Sequence, residues 1–239
     1  MKYLIQFSYD GSKYFGFQRQ KNRINIQSQL EKALSGILNE EIIIKGAGRT
    51  DRNVHAIMQC AHFTSNNAIN KERLLYYLQR KLKPYIYVYS IKEVDDNFHA
   101  RFSVKEKTYV YKINSGTYDP LLANYVLQDV HVSMSKLKKV AKIFKGTHDF
   151  TNFVSGARDN STSIIYDIKV KRKQEIIYIY FRGKSFYRYM VRNLVGAMLC
   201  YCNDKITLEE IKAMLNCPNV KKQTETAPAQ GLYLLNIKY

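Results

Sequence analysis

Apolar residues in the first hundred positions follow two periods, and their order predicts a protein of the α+β class. Lys2–Tyr9 is rich in aromatic and β-branched residues, which is typical of a strand. Between Ile26 and Leu38 apolar residues recur every three or four positions, as in an amphipathic helix. The remaining predicted elements are the strands Glu41–Lys45 and Ile57–Ser65, a helix from an Asn70 cap to Leu82, and the strand Tyr85–Val94. This β-α-β-β-α-β order is that of a split ferredoxin-like unit.

The second half of the chain predicts the same order again. Glu106–Ile113 alternates as a strand, and Ser133 precedes a helical pattern that reaches Phe144. The remaining predicted elements are the hairpin strands Ser163–Arg172 and Glu175–Arg182, a helical stripe from Phe186 to Met198, a short helix with a Thr207–Glu210 capping box, and the closing strand Leu232–Lys238. We therefore expect two fused ferredoxin-like halves, 1–103 and 104–239, with antiparallel or mixed sheets and an active-site cleft between them.

Charge points to a polyanionic partner. The chain of 239 residues carries 38 Lys and Arg against 20 Asp and Glu, a formal net charge of +18. RNA, DNA and an anionic membrane surface are all candidates, although codon bias in an AT-rich genome also enriches lysine. Met1-Lys2 leads into a strand pattern rather than a secretory signal, and no apolar run reaches the ~20 residues of a membrane span. We expect a cytoplasmic protein that does not span a membrane.

Metal and cofactor motifs do not occur in the sequence. The four cysteines lack the C-x-x-C spacing of a zinc site, and the histidines form no H-E-x-x-H motif. No P-loop and no dinucleotide-binding fingerprint is present either. We therefore expect chemistry that needs neither a metal nor a cofactor, and interpret the cysteines as reduced thiols of a cytosolic protein.

One carboxylate on a glycine-containing loop is the leading candidate for catalysis. Asp51 ends the stretch Gly46-Ala47-Gly48-Arg49-Thr50-Asp51 between two predicted strands, with Arg49 two residues before it. An aspartate in such a loop commonly accepts backbone N–H bonds and caps a turn. In a chain that attracts RNA, the same carboxylate would supply a nucleophile or a base.

Two further residues have a structural and a functional interpretation. Arg192 follows Arg188 by four residues, which predicts a shared helix face that is either solvated or paired with a buried carboxylate. Tyr109 lies in a predicted strand, where a tyrosine is usually half-buried core. In an RNA-binding protein it would instead stack on an unstacked base. The longest predicted loops, 114–125 and 146–162, are further places where function concentrates. The second of them contains His148, Asp149, Arg158 and Asp159.

Six ordered motifs resemble the TruA family of tRNA pseudouridine synthases over nearly the whole chain. The central motif is the loop already described, continued by Val54-His55-Ala56. The others are Tyr9-Asp10-Gly11 with Phe15-Gly16-Phe17-Gln18-x-Gln20, Phe98-His99-Ala100-Arg101 with Lys107-x-Tyr109-x-Tyr111, Gly146-x-His148-Asp149-Phe150, Met190-Val191-Arg192, and Ala227-Pro228-Ala229-x-Gly231-Leu232.

The resemblance implies an activity and a role for each candidate residue. The family isomerises uridine to pseudouridine in the anticodon stem-loop of tRNA, at positions 38 to 40, as a homodimer without metal or cofactor. Asp51 would be the catalytic carboxylate, acting as a nucleophile or as a base on a ribose proton. Tyr109 would stack on the base, Arg192 would pair with Asp51, and Arg49 would help to hold the extruded nucleotide.

The chain departs from the family pattern next to the catalytic residue. Arg52 and Asn53 stand where the family usually has a small residue and glycine, and Phe17 replaces a usual tryptophan. Asparagine tolerates the left-handed backbone conformation, so we expect the loop to form. The added charge of Arg52 leaves open a paralogue that acts on ribosomal RNA or another structured RNA. A separate alternative is an RNA-binding module without catalysis, built from ferredoxin-like halves.

Overall fold

The protein is described by a computed structural model over residues 1–156, 160–217 and 224–239. Within these residues it forms nine strands and five α-helices. The strands are β1 (Lys2–Tyr9), β2 (Lys45–Gly46), β3 (His55–Thr64), β4 (Ile86–Val94), β5 (Glu106–Asn114), β6 (Gly146–Asp149), β7 (Thr162–Lys173), β8 (Ile176–Gly183) and β9 (Leu232–Lys238). The helices are α1 (Ile26–Leu38), α2 (Lys71–Leu82), α3 (Met134–Ala141), α4 (Met190–Cys202) and α5 (Leu208–Asn216). The predicted α+β class is confirmed.

The chain divides by compactness into two units. Unit one comprises Met1–Lys105 and Tyr233–Tyr239, and unit two comprises Glu106–Leu232. Unit one has the predicted β-α-β-β-α-β order from β1 to β4. In unit two the order from β5 to α5 is β-α-β-β-β-α-α, because β6 adds a strand before the hairpin. That the two halves are related ferredoxin-like repeats stays a prediction.

Unit one combines five strands with two helices. Its strand order is β4-β1-β3-β9, with β2 paired to β3. All of these pairs are antiparallel except β3 with β9, which run parallel at His55 and Ala56. Helix α2 packs on β4 and α1 packs against α2. The core lies between helices and sheet and includes Tyr3, Phe7, Leu34, Phe63 and Leu78.

Side chains just before the helices of unit one fix where those helices begin. The Asn25 side chain accepts the Ser28 N–H at 2.9 Å, and the Asn70 side chain accepts the Arg73 N–H at 2.9 Å. Each bond satisfies one of the donors that a helix leaves unpaired in its first turn. The predicted Asn70 cap is thereby confirmed.

The strands of unit two pair antiparallel in the order β5-β8-β7-β6. Helix α3 packs against α4 and β7, and α5 packs on β6. The predicted hairpin is present as β7 and β8, and the predicted capping box of α5 forms in both directions between Thr207 and Glu210.

The strand predicted at Glu41–Lys45 is wrong except at its last residue. Ile42 and Ile44 are buried and alternate with exposed neighbours, which explains the strand-like pattern. Their backbone N–H groups, however, donate to side chains of α1, to Ser35 Oγ at 2.9 Å and to Glu31 Oε1 at 3.1 Å. Because side chains satisfy these donors, residues 41–44 do not pair with β3, and the pairing is confined to Lys45 and Gly46 of β2.

The predicted helical stripe from Phe186 begins too early. Tyr189 has a left-handed backbone with φ 62°, and α4 begins at the next residue. Phe186 and Arg188 therefore lie outside the helix, and the prediction that Arg188 shares a helix face with Arg192 is wrong. The loop predicted at 146–162 also contains a strand, β6, and a short 3-10 turn at Thr151–Phe153. Arg158 and Asp159 of that loop lie outside the described residues.

Candidate active site

Asp51 stands on a tight turn between β2 and β3. Its carbonyl oxygen accepts the Val54 N–H at 3.2 Å, which closes a four-residue turn. Asn53, the third residue of that turn, has φ 65°. Asparagine and glycine are the residues that adopt this conformation most readily, so Asn53 performs the conformational role of the usual glycine. The Asp51 residue is half-buried and Arg52 beside it is exposed.

Thr50 anchors the turn to the sheet of unit one. Its hydroxyl lies 2.7 Å from the hydroxyl of Tyr9, and its carbonyl oxygen accepts the Phe17 N–H at 3.0 Å. Burial raises the pKa of Tyr9 to about 12, while its bonds to Thr50 and Gln59 act in the opposite direction. The Tyr9 phenol therefore stays protonated at neutral pH and ties the residue before Asp51 to β1.

Two glycines let neighbouring backbone approach the turn closely. A Cβ on Gly11 would lie 2.0 Å from the Val54 carbonyl oxygen. A Cβ on Gly16 would lie 2.8 Å from the Thr50 carbonyl oxygen, and Gly16 itself has φ 87°. Both glycines belong to the N-terminal motif, so that motif forms the wall against which the Asp51 turn is built.

His55 is a structural residue of the same wall. Its Nδ1 accepts the Gly11 N–H at 3.1 Å, and its ring stacks on Tyr233 with 4.6 Å between centroids. His55 is buried at the start of β3, beside β9. His55 and Gly11 are both motif residues, but their contact has no signal in the sequence because 44 positions separate them.

Arg49 lies on the exposed side of the loop. The residues around it are held inward: Ala47 N–H donates to the Cys60 carbonyl at 2.8 Å, and Gln59 Nε2 donates to the Gly48 carbonyl at 3.2 Å. Fixing the backbone at 47 and 48 leaves the Arg49 side chain exposed, two residues from Asp51.

Arg192 of unit two is bonded to Ala227 through both its side chain and its backbone. Its Nε donates to the Ala227 carbonyl at 2.7 Å, and its own carbonyl accepts the Ala227 N–H at 3.1 Å. The guanidinium also lies 5.0 Å from the ring centroid of Tyr189, as does that of Arg188. The C-terminal motif therefore fixes the direction of the Arg192 side chain.

Tyr109 is largely buried on β5. It pairs with Phe181 of β8, and its ring meets Phe186 edge-on at 5.2 Å. On the same face of the strand, Tyr111 donates its hydroxyl to the Pro228 carbonyl at 2.7 Å. Burial raises the pKa of Tyr111, and the charge of Arg192 opposes that rise in part. The contact of Tyr111 with the C-terminal motif joins residues 117 positions apart and has no signal in the local sequence.

The four candidate residues fall into two pairs. Arg49 and Asp51 share one loop of unit one, whereas Tyr109 and Arg192 belong to unit two. The charge of Arg192 acts to lower the pKa of Tyr111, which lies two residues from Tyr109 on β5. The pairing of Asp51 with Arg192 joins residues of different units and stays a prediction.

Among the described residues there is neither a cluster of metal ligands nor a membrane-spanning helix. No group of three or more His, Cys, Asp and Glu side chains in 1–156, 160–217 and 224–239 has an arrangement that could hold a metal ion. Within the same ranges, none of the helices has both the length and the apolar character needed to cross a bilayer.

The Asp51 turn, the glycines packed against it and the bonded pair Arg192–Ala227 all lie in the two parts of the chain that match a class of RNA-modifying enzymes. A family model described as tRNA pseudouridine synthase matches residues 5–103 and 140–239. The chain therefore belongs to the tRNA pseudouridine synthase family, whose members are isomerases. The resemblance to the TruA family predicted from the sequence is confirmed.

Relatives named tRNA pseudouridine synthase A match over at least 90% of their own length. The protein of Malacoplasma penetrans is 39% identical over 242 residues, covering 100% of this chain and 100% of its own. That of Mycoplasmoides gallisepticum is 37% identical over 99% of this chain and 90% of its own. That of Thermoanaerobacter sp. is 36% identical over 99% of this chain and 98% of its own.

Proposed function

We propose that this enzyme converts uridine to pseudouridine at positions 38 to 40 in the anticodon stem-loop of tRNA, with Asp51 as its catalytic carboxylate. Family membership and the names of the relatives support the reaction and the substrate class. The assignment of Asp51 rests on the support of its turn. The Tyr9–Thr50 contact and the close approach of Gly11 and Gly16 hold that turn in place. Such support keeps a catalytic group in one geometry.

The reaction is an isomerisation, so no atom is gained or lost overall. The bond from uracil N1 to ribose C1′ breaks, uracil turns, and a bond forms from C5 to C1′. The proton on C5 leaves to solvent and N1 takes up a proton. Asp51 begins the sequence by attacking the nucleotide or by removing a ribose proton; both routes need an ionised carboxylate at the target.

The other three candidate residues contact the substrate nucleotide or Asp51. Tyr109 stacks on the base, and Arg49 lies near the target and helps to hold the extruded nucleotide. Arg192 pairs with Asp51 and keeps it ionised, since a cation beside a carboxylate favours its charged form. The fixed direction of Arg192, set by its bonds to Ala227, supports a role that depends on geometry.

The proposal includes the partners and the cellular setting. The net charge of +18 suits a polyanionic substrate such as tRNA. As in the family pattern, we propose a cytoplasmic homodimer that uses neither a metal nor a cofactor. Extruding the target costs a few kcal/mol, and less from a flexible loop than from a paired stem.

Release of tritium from C5-labelled uridine in bulk tRNA tests the proposal directly. Asp51→Asn should abolish release while tRNA still binds, because the amide can neither attack nor act as a base. The matched control is Asp96→Asn, which removes the same charge from an exposed position of the same unit. Release that survives in Asp51→Asn, or is lost equally in Asp96→Asn, would overturn the assignment of Asp51.

The choice of RNA is tested by running ribosomal RNA beside tRNA. Release from tRNA alone, mapped to positions 38 to 40, is the expected result. Release from ribosomal RNA alone would keep the chemistry and contradict the substrate. No release from either RNA by the wild-type protein would favour the RNA-binding module without catalysis.

A further inference from the structure

Phe15, in the loop before α1, carries two arginine side chains on its ring. The guanidinium carbons of Arg23 and Arg52 each lie 4.5 Å from the Phe15 ring centroid. Both arginines are exposed, and the ring between them is half-buried. At this distance a guanidinium is held against an aromatic face by cation–π attraction. The ring thus gathers two positive charges that are 29 positions apart in sequence.

The Phe15 loop is fixed to the turn that carries Asp51. Gly16, the next residue, lies so close to that turn that a Cβ on it would be 2.8 Å from the Thr50 carbonyl oxygen and 3.3 Å from the Arg52 nitrogen. The Phe15 N–H also donates to the Ile24 carbonyl at 2.9 Å, next to Arg23. The arginine pair therefore has a defined position beside the proposed catalytic residue.

Neither arginine is neutralised within the described residues, where no ion pair involves Arg23 or Arg52. Arg19 of the same loop makes the contrast, because it pairs with Glu31 at 3.1 Å. A guanidinium that stacks on a ring directs its N–H groups outward in its own plane, and this fork matches the oxygens of a phosphate. Two guanidinium groups on one half-buried ring therefore form a surface that can bind an anion.

We propose that Arg23 and Arg52, held on the Phe15 ring, bind backbone phosphates of the RNA strand that carries the target uridine. Because Arg52 directly follows Asp51, the two guanidiniums would position the RNA strand next to the proposed catalytic carboxylate. Phe15 is a positioning residue that acts through the two guanidiniums. The inference rests on the proposed function, since it places the RNA strand at Asp51.

The test measures how tRNA affinity depends on salt in Asp51→Asn and in the same protein with Arg52→Gln added. Each lost phosphate contact should reduce the slope of log K against log salt by about 0.7–0.9. The same relation predicts about fivefold weaker binding at 0.15 M salt for one contact. Arg80→Gln is the control, because Arg80 is also stacked, at 5.1 Å on Tyr76, but lies on α2. An unchanged slope with Arg52→Gln, or an equal change with Arg80→Gln, would overturn the proposal.

Variants of the ring separate positioning from folding. Phe15→Leu keeps apolar volume but removes the aromatic face, and should raise KM for tRNA about fivefold with kcat little changed, as for loss of one phosphate contact. Phe15→Tyr keeps the face and should restore KM. Loss of kcat in both variants would contradict the inference, whereas tritium release by the wild type and its loss in Asp51→Asn report on the proposed function separately.

Discussion

The turn that carries Asp51 and the helix that carries Arg192 present charged side chains by different means. Asp51 stands on irregular backbone that is fixed by a neighbouring loop, through a tyrosine hydroxyl bond and close contact with two glycines. Arg192 stands in the first turn of α4 and is fixed by two bonds to the backbone of Ala227. The position of Asp51 depends on neighbouring residues that fit closely around its turn. The position of Arg192 depends on a backbone segment that is bonded to its helix.

The difference indicates where each region tolerates change. A turn has few hydrogen bonds of its own, so its geometry comes from specific neighbours and is sensitive to each of them. A helix makes its own backbone bonds, and the Arg192 clamp uses main-chain atoms of Ala227 that survive most side-chain substitutions. Both regions nevertheless share one requirement, because each has a glycine at the closest backbone approach.

Alanine at those two glycines should have the largest effect on stability. A Cβ on Gly11 would lie 2.0 Å from the Val54 carbonyl oxygen, and one on Gly196 would lie 1.8 Å from the Glu225 carbonyl oxygen. Backbone must move in each case, and overpacking of this kind costs about 3 kcal/mol. For a chain of this size we expect Tm to fall by roughly 6–12 °C in Gly11→Ala and in Gly196→Ala, measured by thermal unfolding.

Gly36→Ala is the control for this pair. Gly36 lies within α1, and its added Cβ would meet only the Lys81 Nζ at 3.1 Å, the far end of a flexible side chain. Because alanine is the better helix former by about 1 kcal/mol, Tm should hold or rise. A Tm for Gly11→Ala or Gly196→Ala equal to that of Gly36→Ala would contradict the close approach.

Acid should weaken unit one through His62, a buried residue of β3. Burial and, to a lesser extent, the charges of His99, Lys2 and Lys45 together lower the pKa of His62 to about 4. In the unfolded chain the pKa is about 6.5, so between pH 6.5 and pH 4 only the unfolded state takes up the proton. The free energy of unfolding should therefore decrease as the pH is lowered through that window. We expect a decrease of about 2 kcal/mol from pH 7 to pH 4.5, measured by urea unfolding.

His62→Asn isolates this contribution from general acid effects. The His62 Nδ1 accepts the Ala100 N–H at 3.0 Å, and an asparagine oxygen supplies an acceptor at a similar reach without titrating. The variant should lose less stability than the wild type over the same pH interval. Parallel pH profiles for the two proteins would show that His62 protonation does not contribute.

Local signals in the sequence predicted much of the fold, and contacts across long separations account for what they missed. The Asn70 cap and the Thr207–Glu210 box involve residues three positions apart, so the sequence alone placed them correctly. Glu41–Lys45 was predicted as a strand because its apolar residues alternate, but side chains of α1 take the backbone donors. Nothing in the local pattern indicates which group a donor will meet.

The same distinction holds for the candidate site. The turn at Asp51 was predictable because glycine, asparagine and aspartate are residues with known backbone preferences. The true start of α4 at Met190 was not predictable, since nothing in a tyrosine signals the left-handed backbone of Tyr189. The bonds of Arg192 to Ala227 and of Gly11 to His55 span 35 and 44 positions, and only the folded chain brings them together.

Removing one tyrosine hydroxyl from each region should have the smallest effect and the sharpest contrast. Tyr9→Phe removes the contact with Thr50, and Tyr111→Phe removes the bond to the Pro228 carbonyl. Each should lower the free energy of unfolding by about 1 kcal/mol. Only Tyr9→Phe should also lower kcat, by about fivefold if that energy is lost from the geometry of the turn. In Tyr111→Phe, Arg192 keeps both bonds to Ala227, so kcat should change less than in Tyr9→Phe. Equal kcat losses in steady-state tritium release would show that the Arg192 segment is as sensitive to its neighbours as the Asp51 turn.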